Sequence, residues 1–145
     1  MGANIFHCGG PGTGETAKLA NNLILGITMV ATSEGMAIGE KLGICPKVLT
    51  DILSVSTGSN FVIQKYNPRP GVLPNVPASN NYDGGFGVAL IKKDLGLALD
   101  AAEIVDAKSD MTEMAKKYYD SLDEEGYGKK DYSFVYQYIM KNYKI

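Results

Sequence analysis

Apolar positions recur at helical spacing along most of the chain, and the longest such stretch comes first. Leu19, Leu23, Ile27 and Val30 follow one another at steps of four, four and three, which predicts one long helix from Thr13 or Gly14 to about Leu42. Ile24, Leu25 and Met29 add apolar residues on its other sides, so its middle is expected to be fully buried. Gly26, Ala31, Gly35, Ala37 and Gly39 are small. The glycines among them weaken a helix, and close packing of neighbouring helices is the expected compensation. Thr13 or Thr16 is the expected cap and Gly43 the stop.

Further helices follow. Cys45-Pro46 opens a second one, with Pro46 in its first turn; Val48, Leu49, Ile52 and Leu53 form its inner face and Gly58 closes it. A short helical turn is expected around 61–66. A third long helix is predicted from about Phe86 to Asp106, with Leu95, Leu99, Ala102 and Val105 as its longer apolar stripe. Asp110 and Glu113 have the spacing of a capping box for a fourth helix, 111 to about 125, ended by Gly126. Asp131 caps a last helix carrying Phe134, Val135, Tyr138 and Ile139. Only "ANIFHCG", residues 3–9, reads as a strand, and one strand makes no sheet. The fold class is therefore all-α, built around one long buried helix.

Between the second and third long helices lies "NPRPGVLPNVPASNNYDGG", residues 67–85, with four prolines, three glycines and four asparagines. An irregular connector this long inside a compact domain is usually functional or mobile.

Composition narrows the function classes. A chain of 145 residues with 45% hydrophobic content suits a single packed domain. A net charge of −2 lacks the basic excess of a nucleic-acid binder. Cys8 and Cys45, the only cysteines, lack metal or redox spacing and read as free thiols of a reducing compartment. His7, the only histidine, sits in the strand-like segment and reads as structural. The first residues lack the basic and apolar regions of a signal peptide. The longest near-continuous apolar run, residues 23–30, is too short to span a bilayer, so no membrane partner is expected.

Three groupings could carry chemistry. Lys18 and Asn22, four residues apart, share a helix face about 6 Å apart. A lysine gives up its proton more readily near a positive helix end, near a second cation or out of water, and then works as a general acid or base. A carboxamide beside it can donate to one substrate oxygen and accept from another. Together they suit interconversion of a hydroxyl and a carbonyl, although spacing alone favours a solvated polar patch. In "GGFGVALIKKDLGLALDAA", residues 84–102, Phe86 and Lys93 share a helical face and Asp94 adjoins it. The ring could cover a flat cofactor and the ammonium could meet a phosphate, ribose or carboxylate, but spacing again favours surface charges at a helix start. The third grouping, Gly12, Gly14 and Ala17, fits G-x-G-x-x-A, yet a dinucleotide fingerprint needs a second strand after its helix. Another helix follows instead, so the fingerprint reads as a decoy. Gly12 and Gly14 more simply let the backbone approach a ligand at the helix N-terminus.

"GTGETAKLANN" and "NPRPGVLPNVPASNNYDGGF…LIKKDLGLA" resemble the C-terminal helical domain of the 3-hydroxyisobutyrate dehydrogenase branch of the β-hydroxyacid dehydrogenase family, with 6-phosphogluconate dehydrogenase as a larger relative. The resemblance runs from Phe6 to about Tyr138. It implies that Lys18 is the catalytic lysine, taking the hydroxyl proton as hydride leaves. It implies that Asn22 holds the substrate, with Asp94, Gly12 and Gly14 on the substrate side. It places Phe86 near the nicotinamide and Lys93 against the cofactor, NAD. The implied reaction is oxidation of 3-hydroxyisobutyrate to methylmalonate semialdehyde, a step of valine breakdown.

The family also carries an N-terminal Rossmann domain of about 150 residues. No such domain is found here, so residues 1–12 are expected to be the remnant of an interdomain strand and linker and 13–145 the helical substrate and dimerisation domain, inactive alone. The expected partners are a small 3-hydroxy acid and a second copy of the chain, in a homodimer or larger assembly. The expected compartment is the mitochondrial matrix in a eukaryote and the cytoplasm otherwise. Three alternatives stay open. They are another β-hydroxyacid dehydrogenase acting on 3-hydroxypropionate, serine, glyoxylate, succinic semialdehyde or tartronate semialdehyde; a self-sufficient dinucleotide module; and a purely structural association domain.

Overall fold

The computed structural model describes residues 4–142. Among the described residues there are six helices: α1 (Thr13–Lys41), α2 (Pro46–Val55), α3 (Phe61–Lys65), α4 (Val88–Ile104), α5 (Asp110–Glu124) and α6 (Val135–Asn142), with short 3-10 turns at Pro77–Ser79 and Tyr132–Phe134. No strand occurs among the described residues, so the all-α expectation holds. Residues 4–9 are irregular. Nothing offers them the second strand that a ladder requires, and Ala3 of the expected strand lies outside the described residues.

The spine is α1, which meets all five other helices. Its C-terminal half is the buried half: Met29, Met36 and Ala37 are fully enclosed with Val62, Ile91, Leu95, Tyr119, Leu122 and Val135. Its N-terminal half is not. Ile24 is 62% exposed, and Leu23, Leu25 and Ile27 are half-buried, which corrects the expectation of a middle buried all round. The helices that pack on α1 cover only one side there. α1 is also long and apolar enough, by length and composition, to cross a membrane, a property that the count of unbroken apolar residues missed. Here its apolar side is the core of the domain.

Two of its small residues mark close approaches. A Cβ on Gly26 would lie 3.1 Å from a Leu95 methyl of α4, and one on Gly39 would lie 2.4 Å from Leu49 of α2. Gly35 faces open space. The end of α1 is a glycine stop: Gly43 takes φ +96 and Ile44 N–H returns to Gly39 O at 3.1 Å.

Several local expectations need correction. The cap of α1 is Gly12, at φ +87, with no side-chain bond; Thr13 Oγ1 donates backward to Gly10 O at 2.7 Å, and Thr16 Oγ1 to Gly12 O at 3.3 Å. The capping box at Asp110 and Glu113 does not form, because the helix cap is Ser109 and Asp110 is already helical. On α2, Leu49 and Leu53 pack inward, but Val48 and Ile52 are about half exposed. That helix ends at Val55, before Gly58. On α4 the core stripe is Val88, Ile91, Leu95 and Ala98, whereas Val105 is exposed. Gly126 does end α5, at φ +90, and Asp131 does cap the turn into α6.

The connector has its own small core. Val76, Ala78 and Tyr82 are buried against Leu73 and Phe134. The Tyr82 hydroxyl donates to Pro68 O at 2.8 Å, and Arg69 pairs with Glu40 of α1 at 2.7 Å. Glu40 also accepts from the Tyr136 hydroxyl of α6. The segment is therefore pinned to α1 and α6, and it hands the chain to α4 in a fixed position.

Candidate active site

The crossing that closes around Gly26 also builds a cleft one turn earlier. α1 supplies Glu15, Lys18, Leu19 and Asn22; α4 supplies Lys93, Asp94 and Leu97. The hollow has a volume of about 160 Å³. Asn22 lies one turn before Gly26 and Asp94 one residue before Leu95, so the approach of the two helices places both polar side chains opposite each other.

They meet directly. Asn22 Nδ2 donates to Asp94 Oδ2 at 2.6 Å, across 72 residues of chain. Asn22 Oδ1 accepts from Asn21 Nδ2 at 3.1 Å. A carboxylate can only accept, so Asp94 fixes which way the Asn22 carboxamide faces. One amide hydrogen of Asn22 is spent on Asp94 and the second remains for another acceptor. Asp94 is 8% exposed. Its other oxygen lies 3.8 Å from Lys93 Nζ, a loose pair because Lys93 is largely in water. Lys18 is exposed on the same α1 face, one turn before Asn22.

The cleft can thus bind and orient a small anionic or polar molecule between two ammonium groups, with a held carboxamide and a proton-transfer group on the same face. Two lysines and two carboxylates leave it with no formal net charge. Glu15 was not singled out from the sequence. Its spacing of three from Lys18, on the same helix face, was the available signal.

Other expected site residues fall elsewhere. Phe86 precedes the α4 cap, Gly87, so it does not share a helical face with Lys93. Its ring packs edge-on against Tyr132, with centroids 5.9 Å apart. Gly12 and Gly14 are exposed at the start of α1, outside the residues lining the cleft. Gly12 is needed there for its left-handed φ, while Gly14 has open space around it. The fingerprint reading of Gly12, Gly14 and Ala17 has no strand on either side among the described residues.

A larger, mostly apolar groove of about 640 Å³ lies on the far side, between the connector, the end of α5 and α6. Several of its polar side chains are occupied: Ser79 bonds Leu73 O, Gln137 bonds the Tyr82 hydroxyl, and Lys141 pairs with Glu125. Size alone does not make it the chemical site.

Residues 12–139 match the family described as the NAD-binding domain of NADP-dependent 3-hydroxyisobutyrate dehydrogenase. The chain is 47% identical over 144 residues to a probable mitochondrial 3-hydroxyisobutyrate dehydrogenase of Dictyostelium discoideum, covering 99% of this chain and 45% of that protein. It is 45% identical over 139 residues to the human mitochondrial 3-hydroxyisobutyrate dehydrogenase, covering 96% of this chain and 41% of that one. The Mycobacterium tuberculosis 3-hydroxyisobutyrate dehydrogenase, solved with L-serine, superposes with a TM-score of 0.89 at 34% identity, over 94% of this chain and 46% of that chain. The chain spans less than half the length of these relatives.

Proposed function

The chain belongs to the family of NAD-binding domains of 3-hydroxyisobutyrate dehydrogenases, and from that premise we propose that it is the C-terminal-type helical domain of an NAD-dependent dehydrogenase of small 3-hydroxy acids, related in fold to the helical domain of 6-phosphogluconate dehydrogenase. The first substrate in this reading is 3-hydroxyisobutyrate, oxidised to its semialdehyde in valine breakdown. The compartment is then the matrix in a eukaryote and the cytoplasm in a bacterium.

The observation that carries this reading is the convergence of Lys18 and Asn22 on α1 with Lys93 and Asp94 on α4 in one cleft. A cleft of about 160 Å³ suits a four-carbon acid and is too small for a dinucleotide. Only the reactive end of the cofactor can share it, with Lys93 on that side and Phe86 outside the lining, just before the helix that bears Lys93. The rest belongs on a dinucleotide-holding domain such as the longer relatives have room for. NAD, when bound beside Lys93, would supply the hydride acceptor for the carbinol carbon. Lys18 Nζ would accept the hydroxyl proton as that C–H bond breaks, and return it in the reverse direction. The free Asn22 amide hydrogen holds the reacting oxygen, and Asp94 keeps Asn22 turned to it. Gly12 and Gly14 shape the start of α1 at the edge of the site.

The test is Lys18→Ala in the assembled dehydrogenase, this chain together with its dinucleotide-holding domain. Losing a general acid–base should cost about 10²–10⁴-fold in kcat with the helical circular dichroism unchanged. Full activity would leave the domain a structural role only.

Glu15 favours a second substrate. A carboxylate in the cleft attracts an ammonium group, so the cleft suits a 3-hydroxy acid with an amino group at C2, L-serine, in which ammonium replaces the methyl of 3-hydroxyisobutyrate. The tuberculosis relative was solved with that amino acid.

Self-association completes the proposal. Val48, Ile52 and Val55 expose one stripe of α2, and Ile38, Leu42 and Ile44 are exposed around the end of α1. Apolar patches of this kind tend to be covered. Light scattering at micromolar concentration should report a dimer or larger species, and a monomer would refute it.

A further inference from the structure

Asp131 is the other buried carboxylate among the described residues, fully enclosed and not among the residues lining the cleft. Among the described residues no ammonium or guanidinium group lies within ion-pair distance of it. Its charge is met by hydrogen bonds alone. Oδ2 accepts from the Phe86 backbone N–H and from the Tyr66 hydroxyl, each at 2.8 Å. Oδ1 accepts from Ser133 N–H at 3.0 Å and from the Ser133 hydroxyl. Burying a carboxylate without a counter-ion is costly, so its position calls for explanation.

The partners show what it holds. Phe86 is clasped at both backbone groups, its N–H by Asp131 and its carbonyl by Tyr132 N–H at 2.7 Å. The next turn is held from the same strip: Val88 N–H donates to Lys130 O at 2.8 Å and Ala89 N–H to Gly128 O at 3.0 Å. Gly85 adopts φ +69, and a Cβ there would sit 2.3 Å from Asp131 Oδ2. The glycine before Phe86 therefore lets the carboxylate come against the main chain. Capping the Tyr132–Phe134 turn that leads into α6 needs only Oδ1. The bond from Oδ2 to Phe86 is additional, and it fixes Phe86, which lies outside the lining of the cleft, together with the first turn of the helix bearing Lys93.

We infer that Asp131 is a positioning residue for the cofactor side of the cleft, acting through the Phe86 backbone. The inference rests on the reading of Lys93 as a cofactor-side residue.

Two substitutions separate positioning from general stability. Asp131→Asn keeps the shape, but with Oδ1 still facing Ser133 its Nδ2 would oppose the Phe86 N–H, donor against donor. Tyr66→Phe removes a bond to the same oxygen and leaves the Phe86 bond intact. In the assembled dehydrogenase, Asp131→Asn should raise KM for NAD about tenfold, the size of one hydrogen bond's net contribution, with KM for the hydroxy acid unchanged. Tyr66→Phe should leave KM for NAD within about twofold while lowering the melting temperature. Equal effects of the two on KM for NAD, or none from Asp131→Asn, would overturn the inference. If Asp131→Asn does not fold, amide exchange in the unmodified chain decides. The Phe86 amide, outside any helix, should exchange as slowly as core amides of α1, and fast exchange would overturn the inference. An unmodified enzyme that oxidises no hydroxy acid with NAD sinks the proposed function instead, a result distinct from the failure of Asp131 alone.

Discussion

Two glycines of α1 offer a matched pair of substitutions. Gly26 and Gly35 both lie inside the helix, and Ala at either position should gain about 1 kcal/mol of helix stability. At Gly35 nothing lies within 4 Å of the added methyl, so the gain should appear whole. At Gly26 the methyl would stand 3.1 and 3.3 Å from the two Leu95 methyls and 3.4 Å from Ile91 Cδ1. Leu95 and Ile91 are both fully buried, so neither can swing into solvent. Forcing an extra methyl into such a core costs about 1–3 kcal/mol. The net change at Gly26 is then between neutral and about 2 kcal/mol destabilising, centred near 1. The two substitutions should differ by about 2 kcal/mol in denaturant unfolding, or roughly 4–8 °C in Tm for a chain of this size. Because Asn22 and Asp94 flank the same crossing, Gly26→Ala should also lower kcat in the assembled dehydrogenase, whereas Gly35→Ala should not. Equal stabilisation by both would refute the idea that close approach at Gly26 sets the geometry of the cleft.

Other consequences are open to direct measurement. Asp94→Ala leaves the Asn22 carboxamide without its acceptor and should cost about 1.5 kcal/mol in unfolding experiments, with a fall in kcat larger than the change in KM. Glu15→Gln should lower kcat/KM for L-serine relative to 3-hydroxyisobutyrate; an unchanged ratio would remove Glu15 from substrate choice. The Arg69 guanidinium, and then the Tyr136 hydroxyl, hold the Glu40 carboxyl below its usual value of 4.5 against the opposing pull of burial. A depressed carboxyl stabilises the fold fully above its unfolded pKa and loses that contribution as pH falls through the folded one. Thermal melts should therefore fall steeply below about pH 4.5 in the unmodified chain, and Glu40→Gln should flatten that fall.

Helices were the legible part of the fold. Periodic leucines and valines, Pro46 at a helix start, and Gly43 and Gly126 at helix ends each state a local preference that the tertiary structure also satisfies. Burial was less legible, because period says which face is apolar and not whether a neighbour covers it. Ile24, Val48 and Ile52 have core spacing and lie exposed. Helix caps misled where a neighbour changed the competition: Thr13 turned back to Gly10, and Ser109 took the place expected for Asp110. The Lys18 and Asn22 half of the cleft was visible because it is local to one helix. Its link to Asp94 spans 72 residues and no spacing rule reaches that far. Apolar periodicity puts the start of α4 two residues early and so places Phe86 on a helical face, and cap spacing alone does not show that Asp131 also clasps Phe86.

The central claim is that the cleft between α1 and α4 serves a cofactor held mainly by another domain. Calorimetric titration of NADH into this chain alone, and into the chain mixed with a separately made dinucleotide-holding domain, tests that most directly. The account predicts no measurable heat of binding from the chain alone, and binding with turnover of 3-hydroxyisobutyrate from the mixture. Tight binding of NADH by the chain alone would contradict it, and would return the glycines at the start of α1 to the role of a dinucleotide site.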